Sequence, residues 1–359
     1  MLVSIEELLE KVVELGGSDL HVSANLPPVV RVDGKLQSLD YPPFTPDNME
    51  TLLFPMLSNE SRRKLEQDWE LDFSYGLRDV CRFRVNIYKD KGNYAAAFRI
   101  IVSTAPTMEQ LGLPDICRVV TERPRGLILV TGPTGSGKST TLAAMINHIN
   151  SSRSEHILTI EDPIEFIHTS KKSVVHQREL GQDTRSFANA LKSALREDPD
   201  VILVGEMRDY ETISLALTAA ETGHLVFGTL HTSSASQTVD RIVDVFPEGQ
   251  QSQIRTQLSS SLVAVFAQTL LPKLQPSGKK KGRVMAQEIM LVNPAIANLI
   301  RESKTSQIYS TIQMNQAMGM QTLEMALGNL YKKKLCTADD ALAKSSHQED
   351  LKRLMGIAK

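Results

Sequence analysis

Nine consecutive residues, Gly132-Pro133-Thr134-Gly135-Ser136-Gly137-Lys138-Ser139-Thr140, carry the spacing GxxxxGK[ST] in full. Glycines at these positions let the backbone wrap closely round a phosphate, so that successive N–H groups and the start of the next helix face it. Lys138 is then set to bridge the β- and γ-oxygens of ATP, and Ser139 to ligate Mg²⁺. An apolar run, Leu127 to Val130, precedes the loop, and helical spacing at Leu142, Met145, Ile146 and Ile149 follows it. Strand, loop and helix in that order are what a P-loop requires.

A phosphate cradle alone binds nucleotide; hydrolysis also needs a group that orients or deprotonates water, and charges that stabilise the transition state. Three later segments offer them. The run Val201 to Val204 ends in Gly205-Glu206, which puts Glu206 beside the magnesium, although Gly205 stands where such motifs usually carry Asp. Ile157 to Ile160 ends in Glu161-Asp162-Pro163-Ile164-Glu165, placing carboxylates at the carboxyl edge of a sheet, where nucleotide sits in open α/β folds. Leu225 to Leu230 ends at His231 and is opened by Gly223-His224, so both histidines become candidates for the same site.

The elements that must position these groups divide the chain. Residues 1–102 read as a small mixed α+β domain. Ser4 and Glu7 suit a helix start, Thr45-Pro46-Asp47 and Ser58 suggest two more, and Asp33-Gly34-Lys35 suits a hairpin turn. In the strand Cys81 to Tyr88, period two sends Cys81, Phe83, Val85 and Ile87 to one face and Arg82, Arg84 and Asn86 to the other. Arg99 sits inside the next apolar strand, Ala95 to Val102. Residues 103–119, with Pro106, Gly112 and Pro114, read as a linker containing one short helix. Residues 120–272 alternate buried strands with amphipathic helices, such as Val239, Ile242, Val243 and Phe246, which predicts a parallel sheet covered by helices. Residues 273–359 read as mostly helical apart from Val284 to Met290, and the triplets Lys279 to Lys281 and Lys332 to Lys334 as solvated charge.

Composition narrows the function classes. With 359 residues, 41% hydrophobic and 23% charged, the chain is globular and long enough for two or three domains. Its net charge of -2 lacks the basic field that holds a nucleic-acid backbone. Cys81, Cys117 and Cys336 are too scattered for a zinc pair or a disulfide framework. No apolar run approaches the roughly 20 residues of a membrane span, and the first fifteen residues mix acidic and apolar types instead of forming a secretion signal, so a cytoplasmic location is expected.

Taken together the motifs resemble the secretion ATPase superfamily that drives type II secretion and type IV pili, and within it the PilT-type retraction ATPases. The resemblance spans nearly the whole chain. It includes GGSDLH at Gly16 to His21, RVDGKL at Arg31 to Leu36, the P-loop, TIEDPIEF at Thr159 to Phe166, DPDVILVGEMRD at Asp198 to Asp209, TGHLVFGTLHT at Thr222 to Thr232 and GMQT at Gly319 to Thr322. AIANLIRE at Ala295 to Glu302 is similar to the AIRNLIRE motif associated with retraction, with Ala297 where Arg is usual. The resemblance implies an α/β protein with a PAS-like N-terminal domain, a RecA-like P-loop core and a helical C-terminal region, assembled as a homohexamer. It implies that Arg82, Arg84 or Arg99 reaches the γ-phosphate, that Glu161 or Glu165 polarises water, and that Glu206 joins the magnesium shell. It further implies pilus retraction, an inner-membrane platform protein as partner, and a place at the pilus base. Rival readings are an extension or secretion ATPase of the same superfamily, a nucleic-acid motor, and a nucleotide-gated module with little turnover. The absence of a four-cysteine zinc module disfavours the first of these.

Overall fold

The computed structural model describes residues 3–32, 34–77, 81–101 and 105–357. The chain divides into two compact units, Met1–Thr104 with Pro163–Ile167, and Ala105–Asp162 with His168–Lys359.

The first unit runs α1 (Ile5–Glu14), β1 (Asp19–Ser23), β2 (Val29–Val32), β3 (Lys35–Ser38), α2 (Pro46–Leu53), α3 (Asn59–Asp68), β4 (Glu70–Leu77), β5 (Cys81–Asp90) and β6 (Asn93–Ile101). All three helices begin at a hydroxyl cap: Ser4, Thr45 and Ser58 accept from the backbone N–H of Glu7, Asn48 and Ser61. The strands form one antiparallel sheet in the order β3-β2-β1-β6-β5-β4. Because side chains alternate along each strand, Leu20, Val22, Phe83, Val85, Ile87 and Phe98 are buried in one core with Leu8, Leu9, Met49 and Leu65 of the helices. The opposite face carries Asp19, His21, Arg84, Asn86 and Arg99. Val32 pairs with Lys35 across the expected hairpin, while Asp33 of its turn, like Val102 of the last strand, lies outside the described residues.

The second unit begins with two short helices, not one: α4 (Met108–Leu111) and α5 (Asp115–Thr121). There follow β7 (Gly126–Thr131), α6 (Lys138–Ser152), β8 (His156–Glu161), β9 (Val174–Glu179), α7 (Phe187–Ala194), β10 (Val201–Val204), α8 (Tyr210–Glu221), β11 (Leu225–Leu230), α9 (Ala235–Asp244), α10 (Glu248–Ser261), β12 (Leu262–Leu274) and β13 (Lys280–Leu291). Five helices complete it: α11 (Pro294–Arg301), α12 (Ile308–Met314), α13 (Leu323–Lys332), α14 (Ala338–Leu342) and α15 (Gln348–Met355). The sheet order is β13-β12-β7-β11-β10-β8-β9, parallel except for β13, which pairs antiparallel with β12. The four strands expected around the P-loop are present, and β9 and β12 add to them.

Both faces of this sheet are covered, which is why its strands read as continuous apolar runs. Leu127, Leu129, Ile202, Val204 and Val226 pack into one core with residues of α7 to α12, and Ile128, Val130, Val201, Leu203 and Phe227 into another with α4, α5 and α6. A third, smaller core joins Leu271 and Ala286 of the long β12–β13 hairpin to Leu327, Ala341 and Leu351. The mixed α/β class expected from the motif spacing therefore holds.

Candidate active site

The P-loop leaves the carboxyl end of β7, where Thr131 pairs with Leu230 at the end of β11 and with Ala267 of β12. Gly132 has φ +142, and a Cβ there would lie 2.2 Å from the Gln268 carbonyl oxygen and 2.6 Å from the Ser136 hydroxyl. Only glycine fits that close approach. Gly137, at φ +89, caps the start of α6, so Lys138 and Ser139 occupy its first turn with the helix N-terminus pointing into the loop. Ser136 Oγ is buried with no hydrogen-bond partner among the described residues. Lys138 Nζ donates to the Gly132 carbonyl at 2.9 Å and the Pro133 carbonyl at 3.3 Å, folded over the concavity. An orphan hydroxyl, converging amides and an ammonium in one cradle fit a polyphosphate.

Three side chains absent from the motif hold this loop. Gln268, 2% exposed on β12, donates Nε2–H to the Ser136 carbonyl at 2.9 Å and accepts from Thr141 Oγ1 of α6 at 3.0 Å. Gln287 of β13 donates to the same Gln268 oxygen at 3.1 Å. A buried amide satisfied on both sides fixes the loop against the sheet. The signal was present in the sequence as a glutamine inside the apolar run Val263 to Leu271.

Glu206 follows β10, 20% exposed at its side chain, with Oε1 2.8 Å from His231 Nε2 and in contact with Arg208. Burial alone would raise its pKa, but the Arg208 guanidinium and His231 beside it hold the carboxyl below its ordinary value. Its neighbour Gly205 has a structural reason to lack a side chain: a Cβ would come within 3.0 Å of the Ile160 carbonyl and 3.2 Å of Glu161 Cα. Gly205 N–H donates to Ile160 O at 2.7 Å, and its carbonyl accepts from Thr229 Oγ1 at 2.6 Å, closing β8, β10 and β11 together at their carboxyl ends. Glu161, at the end of β8, accepts from Thr159 Oγ1 at 2.7 Å and Gln177 Nε2 at 3.1 Å.

The carboxyl edge of the sheet thus brings together residues 132–140, Glu161, Glu206 and His231. His224 does not join them. It stands at the opposite end of β11, where its backbone N–H donates to the Ala219 carbonyl at 3.1 Å and its Nδ1 lies 3.0 Å from the same oxygen, closing the end of α8. A six-residue strand separates the two histidines by roughly 20 Å at about 3.3 Å per residue, so the expectation that His224 shares the site is corrected to a helix-terminating role. Arg82, Arg84, Arg99 and Glu165 belong to the first unit. There Arg84 pairs across strands with Arg99, and both line a hollow of about 270 Å³ with Asp19, His21 and Asp72. Arg99 Nε donates to Asp19 Oδ1 at 2.8 Å, and Arg82 donates to the Ser74 hydroxyl. Glu165 is exposed.

For Mg²⁺, the Ser139 hydroxyl and the Glu206 carboxylate are hard oxygen donors of the kind that ion takes, one or two from protein with the rest from phosphate and water. No cluster of three or more His, Cys, Asp or Glu that could hold a metal alone occurs among the described residues.

A family model described as type II/IV secretion system protein matches residues 2–348. The chain belongs to this family. Among curated members, the type IV pilus retraction ATPase PilT of Pseudomonas aeruginosa is 52% identical over 97% of this chain and all of its own length. A twitching motility protein of Neisseria gonorrhoeae is 53% identical over 90% of this chain and 86% of its own length. Among solved structures, the crystal structure of the pilus retraction motor PilT with bound ADP superposes with a TM-score of 0.91 at 51% identity, covering 98% of this chain and 99% of that one. As a family member, the chain is an ATPase.

Proposed function

We propose that this chain is the ATP-hydrolysing motor of type IV pilus retraction, working as a homohexamer at the pilus base. The observation that carries the reading is its 52% identity across the full length of the Pseudomonas aeruginosa retraction ATPase, joined to a P-loop cradle built to hold polyphosphate. On this reading the first unit is a PAS-like domain, and the second a RecA-like core with a helical C-terminal region.

Residues 132–140 bind the phosphates of ATP, Lys138 bridging the β- and γ-oxygens and Ser139 and Glu206 holding Mg²⁺. The ion supplies charge neutralisation on the phosphates. His231, with Nε2 2.8 Å from Glu206 Oε1, orients that carboxylate. Either Glu161 or Glu165 polarises the attacking water; Glu161 stands at the end of β8, where it accepts from Thr159 and Gln177. Arg82, Arg84 and Arg99 supply positive charge to the γ-phosphate; Arg99 would exchange its Asp19 partner for phosphate, a charge-assisted contact of the same kind. Successive hydrolysis round the ring moves an inner-membrane platform protein, and pilin returns to the membrane.

The test is retraction and ATP hydrolysis by wild type, Lys138→Ala and Glu206→Ala in a host deleted for its own retraction gene. Restored retraction by wild type, with both variants failing in parallel in both assays, supports the motor. Hydrolysis without retraction moves the chain to an extension or secretion role, with Ala297 of α11 the first residue to restore to Arg. Undiminished hydrolysis by an Arg82/Arg84/Arg99 triple alanine variant would remove the arginines from the mechanism.

A further inference from the structure

Two lysine triplets that stand fifty residues apart in sequence lie on segments joined by a backbone hydrogen bond. The β12–β13 hairpin ends in a tight turn in which Gln275 N–H donates to the Lys279 carbonyl at 2.8 Å and Gly278 N–H to the Gln275 carbonyl at 2.9 Å. At its base Leu274 N–H donates to the Leu335 carbonyl at 2.8 Å, tying the hairpin to the segment that leaves α13. The segment carrying Lys273 and Lys279 to Lys281 is thereby joined to the one carrying Lys332 to Lys334, and all seven lysines are exposed. The same two segments, 273–281 and 332–340, contain only Asp339 and Asp340 as carboxylates, so seven lysines less two acids leave five positive charges. Asp340 is already paired with Lys280 at 2.7 Å. The other six lysines make no ion pair among the described residues. In a chain whose net charge is -2, this is a strong local asymmetry.

We infer that this lysine surface docks the protein on an anionic phospholipid membrane. Lysine is a flexible, hydrated point charge that suits a fluid array of headgroups, whereas planar or base-specific recognition favours arginine forks and aromatic platforms. Neither segment contains an arginine or an aromatic residue. No helix among the described residues is long and apolar enough to cross a membrane. Each lysine near an anionic leaflet strengthens binding about fivefold, and a ring of identical copies would multiply the effect through multivalency. The attachment is electrostatic throughout and fades as salt shortens the screening length. It does not depend on which appendage the motor serves.

The experiment is co-sedimentation of the full chain with vesicles of phosphatidylcholine containing phosphatidylglycerol, against vesicles of phosphatidylcholine alone. Expected is binding to the anionic vesicles only, abolished by high salt and weakened about a hundredfold in Lys279→Gln/Lys281→Gln/Lys333→Gln, three losses of about fivefold each. The same positions changed to Arg retain binding, which separates charge from folding, and ATP hydrolysis without vesicles is unchanged in both variants. Equal binding to both vesicle types, or undiminished binding by the glutamine variant, overturns the proposal. So does displacement from anionic vesicles by duplex DNA that the glutamine variant no longer binds, which would assign the surface to nucleic acid.

Discussion

Glu288 on β13 offers a test in which the sign of the effect reverses with pH. Its side chain is 5% exposed, and Oε1 accepts from the Ala235 N–H at 2.6 Å, in the first turn of α9; a second acceptance, from the Leu323 N–H, reaches the first turn of α13. The carboxyl therefore caps two helices, one leading from the His231 loop and one opening the C-terminal helices. No cation faces it. Its charged neighbour is Glu324, 1% exposed, which accepts from Tyr309 Oη at 3.2 Å and Ser345 Oγ at 2.9 Å, with Asp350 also bonded to Tyr309. Burial first, and the Glu324 charge after it, push the Glu288 carboxyl from its ordinary 4.5 up to about 7, against the two backbone donors.

A folded-state value above the unfolded one means that the folded chain holds the proton longer. Glu288 thus leaves stability untouched below 4.5, erodes it as pH rises between 4.5 and about 7, and exerts its full penalty above that range. The shift corresponds to about 3 kcal/mol. Glu288→Gln cannot ionise and so escapes the penalty, but its NH2 group, unlike the hydroxyl oxygen of the neutral acid, cannot accept from a helix N–H, at a cost of about 1 kcal/mol. The variant should be more stable than wild type by about 2 kcal/mol near pH 8 and less stable by about 1 kcal/mol near pH 5. Calorimetry would read these as a Tm raised by about 4–8 °C at the higher pH and lowered by about 2–4 °C at the lower. Equal displacement of Tm at both pH values, or a fall near pH 8, would refute the account of Glu288 as a buried acid opposed by Glu324.

Other expectations concern the phosphate loop and the two cores. Gly132→Ala places a Cβ 2.2 Å from the Gln268 carbonyl and should abolish binding of a fluorescent ATP analogue while the first unit still unfolds as in wild type; retained binding would show that the loop can move aside. Gln268→Ala strands the Ser136 carbonyl and the Thr141 hydroxyl, at about 1–3 kcal/mol, and should raise KM for ATP more than it lowers kcat. An unchanged KM would mean that the loop keeps its shape without the amide. Phe83→Ala empties a fully buried site in the first unit and should cost about 3–5 kcal/mol by denaturant unfolding, with nucleotide binding to the second unit preserved.

Where function and backbone geometry demand the same residues, the fold could be read directly. The P-loop is legible because Gly132 and Lys138 must be those types at that spacing, and β5 because Phe83, Val85 and Ile87 alternate with Arg82, Arg84 and Asn86. The strand β12 was hidden for a physical reason. Leu262 follows Ser261, the last residue of α10, with no intervening loop, and an apolar run covered on both faces carries no period-two signature. His224 and His231 illustrate a different limit. Both flank β11, and only the pairing of Leu225 with Gly126 and of Leu230 with Thr131 shows which end faces the phosphate loop.

Gly205 and the lysine triplets depend on contacts between segments far apart in sequence. A missing carboxylate at position 205 looked like a departure from the usual acidic motif; in the structure it is the condition for bringing the β10 backbone against Ile160 and Glu161, and it leaves Glu206 to carry the charge. The lysines looked like two solvated patches because nothing local links residue 279 to residue 333. The hydrogen bond between Leu274 and Leu335 links them, and it converts two ordinary loop compositions into one field. Motifs show what each segment could do, but whether those capacities combine is decided by strand register and by a few backbone contacts between distant segments.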